Sequence, residues 1–138
     1  MYIAHFGFNS KPFKSNPKVF YRNKNFDTAC ADILDGIRER RGFILLTGEA
    51  GVGKSLTLRR CMAEADDIRF ILLLNSSLDF PEILNYLCVT LGLPATGLDA
   101  EQQNRLLLDF LAAQARRNQV IALLIDDAQN LLTEVLLQ

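Results

Sequence analysis

Phe43-Ile44-Leu45-Leu46-Thr47 runs directly into Gly48-Glu49-Ala50-Gly51-Val52-Gly53-Lys54-Ser55, and the reading of these thirteen residues decides the fold. The first five are a short apolar run with a β-branched residue inside and a turn signal behind, which predicts a buried strand over 43–47. The next eight fit G-x-x-x-x-G-K-[ST] without a mismatch. Glycines let the backbone turn tightly, so successive N–H groups face inward as an anion nest. Lys54–Ala65 reads as a helix, and its N-terminal end adds partial positive charge to that nest. Lys54 supplies a point charge for β- and γ-phosphates, and the Ser55 hydroxyl is a ligand for Mg²⁺. Background composition produces such an octamer in roughly one chain of this length in a few hundred. The predicted cofactor-binding set is Gly48, Glu49, Ala50, Gly51, Val52, Gly53, Lys54, Ser55 and Leu56.

Outward from this loop the chain alternates helices and apolar runs. Upstream, Ala29, Cys30, Ile33, Leu34 and Ile37 recur at helical spacing. Asp27 is placed to start that helix, Arg38, Arg40 and Arg41 suit its C-terminal end, and Gly42 stops it. Downstream, Phe70–Leu74 reads as a second buried strand. A helix with Pro81 in its first turn follows, showing Ile83, Leu84, Leu87, Cys88 and Leu91 on one face and ending at Gly92 and Pro94. Ala100–Arg117 is a longer helix with Leu106, Leu107, Phe110 and Leu111 facing the core. Val120–Ile125 is the third buried strand. Continuous apolar strands between helices predict a parallel α/β sheet covered on both faces.

Leu123-Leu124-Ile125 delivers Asp126 and Asp127 to the C-terminal end of the third strand, where open α/β sheets bind ligands. Two adjacent carboxylates repel and call for a cation. Asp126 is the predicted Mg²⁺ ligand, directly or through water. Asp127 is the predicted catalytic group that orients or deprotonates the attacking water, alongside Lys54. Alone, an apolar run with two acids is a weak signal. It gains force from the loop, whose Lys54 lies 72 residues before Asp126.

Composition removes other chemistries. In 138 residues there is one histidine, His5, so no His-rich metal site and no histidine relay can form. Cys30, Cys61 and Cys88 form no C-x-x-C pair, which fits neither a zinc site nor a secreted disulfide framework. They read as buried, inert thiols. No G-x-S-x-G turn is present. Apolar residues are 49% and charged residues 22%, as in an ordinary globular protein, which argues against disorder. The longest apolar run has six residues, against about 20 for a membrane-spanning helix. With no secretory signal at the start, the expected location is cytoplasmic.

The net charge of −1 hides a segregation. Residues 1–26 carry Lys11, Lys14, Lys18, Arg22 and Lys24 with no acid, and seven of the twelve aromatic residues. Interleaved bases and aromatics can track a nucleic-acid strand. The same pattern also describes an arm whose rings pack on the domain while its lysines stay solvated. The expected organisation is a basic aromatic arm over 1–26 and an α/β core over 27–138.

Taken together, the two motifs resemble the AAA+ branch of P-loop ATPases, and in detail the ExeA-like (general secretion pathway A) family. The likeness is carried by Tyr2-Ile3-Ala4-His5-Phe6-Gly7-Phe8, Pro12-Phe13, Phe20-Tyr21, Gly36-Ile37, the Thr47–Ser55 loop, Leu91-Gly92-Leu93 and Ile125-Asp126-Asp127-Ala128-Gln129-Asn130-Leu131. It runs through essentially the whole chain. It implies a P-loop NTPase core of the AAA+/ASCE type, ATP and Mg²⁺ as cofactors, and ATP hydrolysis. It also implies a homo-oligomer in the full-length protein, anchored at the inner membrane with a partner that helps assemble the outer-membrane secretin of type II secretion. Related ATPases act in pilus biogenesis and DNA transposition, so a DNA-associated helper is the alternative. A small-molecule kinase shares the loop, but no arginine-rich lid segment follows it. A non-hydrolysing nucleotide switch is a further alternative, for which Asp127 is the discriminating residue.

Three departures from that family stand out. Asp126-Asp127 replaces the usual Asp-Glu, and a carboxylate one methylene shorter sits farther from the water. About 1 Å of misplacement can cost on the order of a hundredfold in rate. Phe26 stands near the start of the first helix, where a histidine is common; by the resemblance, Phe8 and Phe13 are candidate walls for the adenine. Finally, the resemblance places a further strand between the loop-bearing strand and the Asp126 strand, carrying a sensor residue. That strand, the helical lid and the arginine finger would follow residue 138. The chain is therefore expected to be the N-terminal part of one ATPase core, truncated before the sensor-1 strand and lid.

Overall fold

The computed structural model of the protein describes residues 24–74 and 77–131. Most of the basic aromatic arm, including Phe8 and Phe13, lies outside the described residues. Helix α1 spans Lys24–Arg38, α2 Lys54–Glu64, α3 Phe80–Leu91 and α4 Ala100–Arg116. Strand β1 is Ile68–Leu73, β2 is Val120–Ile125, and a short 3₁₀ turn covers Ala128–Asn130.

The two strands pair in parallel, from Ile68 opposite Val120 to Leu73 opposite Ile125. Strand geometry sends alternate side chains to opposite faces, and each face meets its own pair of helices. Ile68, Phe70, Val120 and Ala122 pack with Cys30, Ile33 and Leu34 of α1 and Cys61 of α2. Ile71 and Ile121 pack on the other side with Leu84, Cys88 and Leu91 of α3 and Leu107 of α4. The sheet is thus parallel and covered on both faces, as the apolar runs predict. Leu106, Phe110 and Leu111 flank Leu107 on the inward side of α4. Because both strands run the same way, their C-terminal ends coincide, and the Asp126 N–H extends the pairing to the Leu73 carbonyl at 3.2 Å.

Three boundaries differ from the sequence expectation. Helix α1 begins by Lys24, so Phe26 belongs to it rather than to the arm, and Asp27 lies in its first turn instead of capping it. β1 starts at Ile68, two residues before the predicted run, because exposed Arg69 interrupts the apolar pattern without leaving the ladder. It ends at Leu73, so that Leu74, predicted as its last buried residue, is exposed outside the pairing. The largest difference is at 43–47, which joins no ladder among the described residues. Phe43 is 77% exposed and Leu45 68%. The segment nevertheless lies against the last turn of α1: a Cβ on Gly36 would lie 2.8 Å from Ile44 Cδ1, so a larger residue there would require the tip of the Ile44 side chain to move.

What separates 43–47 from β2 is a trough of about 1630 Å³. One wall is Phe43–Thr47 and the other is the outer edge of β2, which pairs only with β1 among the described residues. Leu123, predicted buried, is therefore 40% exposed. An apolar run creates a strand only where a neighbour takes its N–H and C=O groups, and no segment among the described residues does so for 43–47.

Candidate functional site

The Gly48–Ser55 loop closes one end of this trough. Gly53, the last residue before α2, has φ 100° and ψ 20° in the left-handed region, where a side chain would be strained. Its carbonyl accepts the Thr57 N–H at 2.9 Å and the Thr57 hydroxyl at 3.1 Å, so the turn is tied into the first turn of the helix.

How the helix N-termini are satisfied sets α2 apart. Each helix begins with N–H groups that lack an intrahelical partner. In α3 the Asp79 carboxylate accepts the Glu82 N–H at 2.8 Å while Glu82 returns to the Asp79 N–H at 2.9 Å. In α4 Asp99 and Gln102 make the same reciprocal pair at 2.9 and 3.0 Å. Helix α2 has no side-chain cap and no acidic residue in its first turn. Its positive end is left facing the loop, an arrangement that favours an external anion.

Lys54 and Ser55 point their polar atoms at the rest of the site. Lys54 Nζ donates to the carbonyls of Gly48 at 2.9 Å and Glu49 at 2.8 Å. The Ser55 hydroxyl donates to Asp126 Oδ1 at 2.9 Å. The loop and the end of β2 are thereby brought together across 71 residues of chain. Two oxygen donors of this kind suit Mg²⁺, which takes few protein ligands and fills its shell with water and phosphate oxygens. No cluster of three or more His, Cys, Asp or Glu side chains among the described residues could hold a metal by protein ligands alone.

Asp127 is exposed and has φ 52°, in the left-handed region, where Asp is among the few tolerated residues. Its N–H donates to Asp126 Oδ1 at 3.1 Å, and Gln129 Nε2 donates to Asp127 Oδ1 at 3.1 Å. The turn at 128–130 enforces this short-range bond, since Asn130 N–H reaches the Asp127 carbonyl at 3.0 Å. Of the residues predicted from the two motifs, Gly48, Ala50, Gly51, Gly53, Lys54, Ser55, Leu56, Asp126 and Asp127 line the trough, whereas Glu49 and Val52 do not.

Behind the loop, α1 and α2 are joined by contacts that sequence reading misses. Arg60 is a helix-face charge by sequence, yet its side chain is only 11% exposed. It lies 2.5 Å from Asp27 Oδ1 and donates to Glu64 at 2.7 Å. The Glu64 carboxylate, and then Asp27, hold the Arg60 guanidinium more firmly protonated than usual. The Cys30 and Cys61 sulfurs lie 3.1 Å apart in the core. Burial pushes the Cys30, Cys61 and Cys88 thiols up, as expected of inert core thiols. Phe26 and Gln129 also belong to the site's surroundings. Only the first-turn position of Phe26 and the adjacency of Gln129 to the two acids hint at either in the sequence.

Among the described residues no helix is long and apolar enough to cross a membrane. The AAA domain family matches residues 37–138. General secretion pathway protein A of Aeromonas hydrophila is 34% identical over 146 aligned positions, which cover all of this chain and 26% of that relative. The chain thus spans about a quarter of the length of the curated relative it matches. No solved structure matches. The family match covers most of the chain and the likeness to an ExeA-like protein covers all of it: the chain belongs to the AAA domain family, with a parallel α/β core, and within that family resembles general secretion pathway A proteins.

Proposed function

We propose that this chain binds Mg-ATP at the Gly48–Ser55 loop and hydrolyses it as part of an AAA module that serves a secretion apparatus. The carrying observation is the juxtaposition of an uncapped helix N-terminus, Lys54 and Ser55 with Asp126 at the end of β2. AAA membership supports nucleotide binding, and the likeness to a general secretion pathway protein supports the biological setting.

In this reading the N–H groups of 48–55 and the ammonium of Lys54 receive the polyphosphate. Ser55 and Asp126 hold Mg²⁺, which when bound neutralises charge on the β- and γ-phosphate oxygens. The side chain of Asp127 takes the proton of the attacking water or aligns it, and Gln129 fixes one of its carboxylate oxygens. A further strand of the core occupies the trough between 43–47 and β2, pairing with both. Oligomerisation and a membrane-bound partner belong to the whole protein in this proposal.

Asp127→Asn tests it. The amide keeps the size and the Gln129 neighbourhood but cannot accept a proton, so Mg-ATP affinity stays within about threefold while turnover falls on the order of a hundredfold. Equal turnover in both proteins would refute the role of Asp127. Tight binding with no turnover in either would favour a nucleotide switch.

A further inference from the structure

The loop's left-handed residue does not stand alone. A Cβ at position 53 would lie 3.0 Å from both Cε1 and Cζ of Phe26, so the edge of that ring is seated against Gly53. Phe26 is the third residue of α1 and is half-buried. Its place is fixed by neighbours on the same helix. The next residue, Asp27, is paired with Arg60 at 2.5 Å, and one turn further on Cys30 meets Cys61 at 3.1 Å. Both partners lie on α2, so α1 and α2 are registered against each other at three successive points. The first of the three is the turn that opens α2.

We propose that Phe26 is a positioning residue for the phosphate-binding loop. Its ring is the stop against which Gly53 is held in the left-handed conformation, and so it aims the N–H groups of Gly53, Lys54 and Ser55. This rests on the nucleotide-binding reading above and extends it: α1 becomes part of the phosphate site. The ring governs affinity for the polyphosphate portion of the ligand, whatever base is attached. Glycine is favoured at 53 by its φ of 100°, and a Cβ there would also press on the ring edge at 3.0 Å, so that the ring would have to give by a few tenths of an ångström.

The test uses Phe26→Ala and Phe26→Leu in the full chain. Amide hydrogen exchange is followed by NMR at Thr57, whose N–H donates to the Gly53 carbonyl at 2.9 Å and so reports the loop turn, with Ile71 in the core of the sheet as internal reference. In Phe26→Ala the Thr57 amide should exchange about tenfold faster relative to Ile71, with Phe26→Leu intermediate. Titrations with Mg-ADP and with Mg-pyrophosphate should both weaken by about the same tenfold factor. Loop exchange that changes only in step with Ile71 would overturn the proposal, since the ring would then be a general stability contact. Weaker Mg-ADP with unchanged Mg-pyrophosphate and unchanged loop exchange would overturn it as well, in favour of a wall for the base. If wild type bound neither ligand while Phe26→Ala still freed the Thr57 amide from the Gly53 carbonyl, the nucleotide reading would fail and the positioning role would stand.

Discussion

Replacing Lys54 by alanine probes the site most directly, and the geometry allows its effect to be worked out. Without a phosphate the ammonium is satisfied by two carbonyls of its own loop, Gly48 at 2.9 Å and Glu49 at 2.8 Å. Binding a polyphosphate exchanges these neutral acceptors for charged ones, so the lysine contributes only the difference. Hydrogen bonds to charged groups contribute about 1.5–3 kcal/mol each. Two bonds near the lower figure before binding and two near the upper figure afterwards leave about 3 kcal/mol. Lys54→Ala should therefore weaken Mg-ATP by about a hundredfold. The freed carbonyls lie in an exposed loop and turn to water, so the melting temperature without nucleotide should hardly move. Calorimetric titration of Mg-ATP into both proteins, with thermal denaturation alongside, measures both quantities. An affinity for Lys54→Ala within threefold of wild type would refute the assignment of Lys54 to phosphate. A large fall in melting temperature would instead show that the two carbonyl bonds hold the loop together.

Two further predictions concern the scaffold. Asp99→Ala removes the carboxylate that accepts the Gln102 N–H at the start of α4 and leaves the backbone N–H of residue 99 with the Gln102 side chain. It should cost about 1 kcal/mol, read as a lower urea midpoint at unchanged slope, and no shift would mean that water caps α4 equally well. Arg38 donates through two nitrogens to Asp67, 2.9 Å each, and this bonding holds the Asp67 carboxyl below its ordinary value. A carboxylate with a lowered folded pKa stabilises above its unfolded value, about 4, and that contribution disappears as pH falls through the folded pKa. Wild type should therefore exceed Asp67→Asn in melting temperature by a constant, small margin from about pH 5 upward, shrinking below about pH 4. A margin that persists in strong acid would show that the charge of Asp67 is irrelevant.

The helices and the last strand were readable because their signals are local. β2 begins and ends where its apolar run does, and α3 and α4 show apolar residues at helical spacing, with Pro81 in the first turn of α3. The capping boxes, Asp79 with Glu82 and Asp99 with Gln102, emerge only in the structure. The Gly48–Ser55 octamer is legible for the same reason: its geometry follows from a few consecutive dihedrals. Asp27 shows where local reading stops. Its carboxylate looks like a cap but is committed to Arg60, a residue 33 positions away that only tertiary packing brings near. The segment 43–47 marks a second limit. Its composition says that it is apolar and extended, while pairing depends on which backbone lies beside it, and β2 lies across a trough instead. The contact of Phe26 with Gly53 is equally non-local, since an aromatic ring in a first turn has no sequence signature for the surface it meets.

These differences divide the candidate site into halves that depend on different parts of the molecule. The phosphate-facing half comprises the loop, the uncapped end of α2 and the α1 contacts behind it, all among described residues and mutually packed. The other half, Asp126 and Asp127, sits at the end of a strand whose second edge is unpaired among the described residues, and Asp127 lies in a left-handed turn held by Gln129. A backbone in that conformation persists only where its surroundings over-determine it. Whatever fills the trough would bear on β2 along its open edge and so on the direction of the Asp127 carboxylate, while leaving the loop's hydrogen bonds in place. Phosphate affinity should then follow the α1–α2 pair, and turnover should follow the occupancy of the trough. A substitution on the outer edge of β2, such as Leu123→Ser, should therefore change turnover with little effect on Mg-ADP affinity, whereas Phe26→Ala should do the reverse.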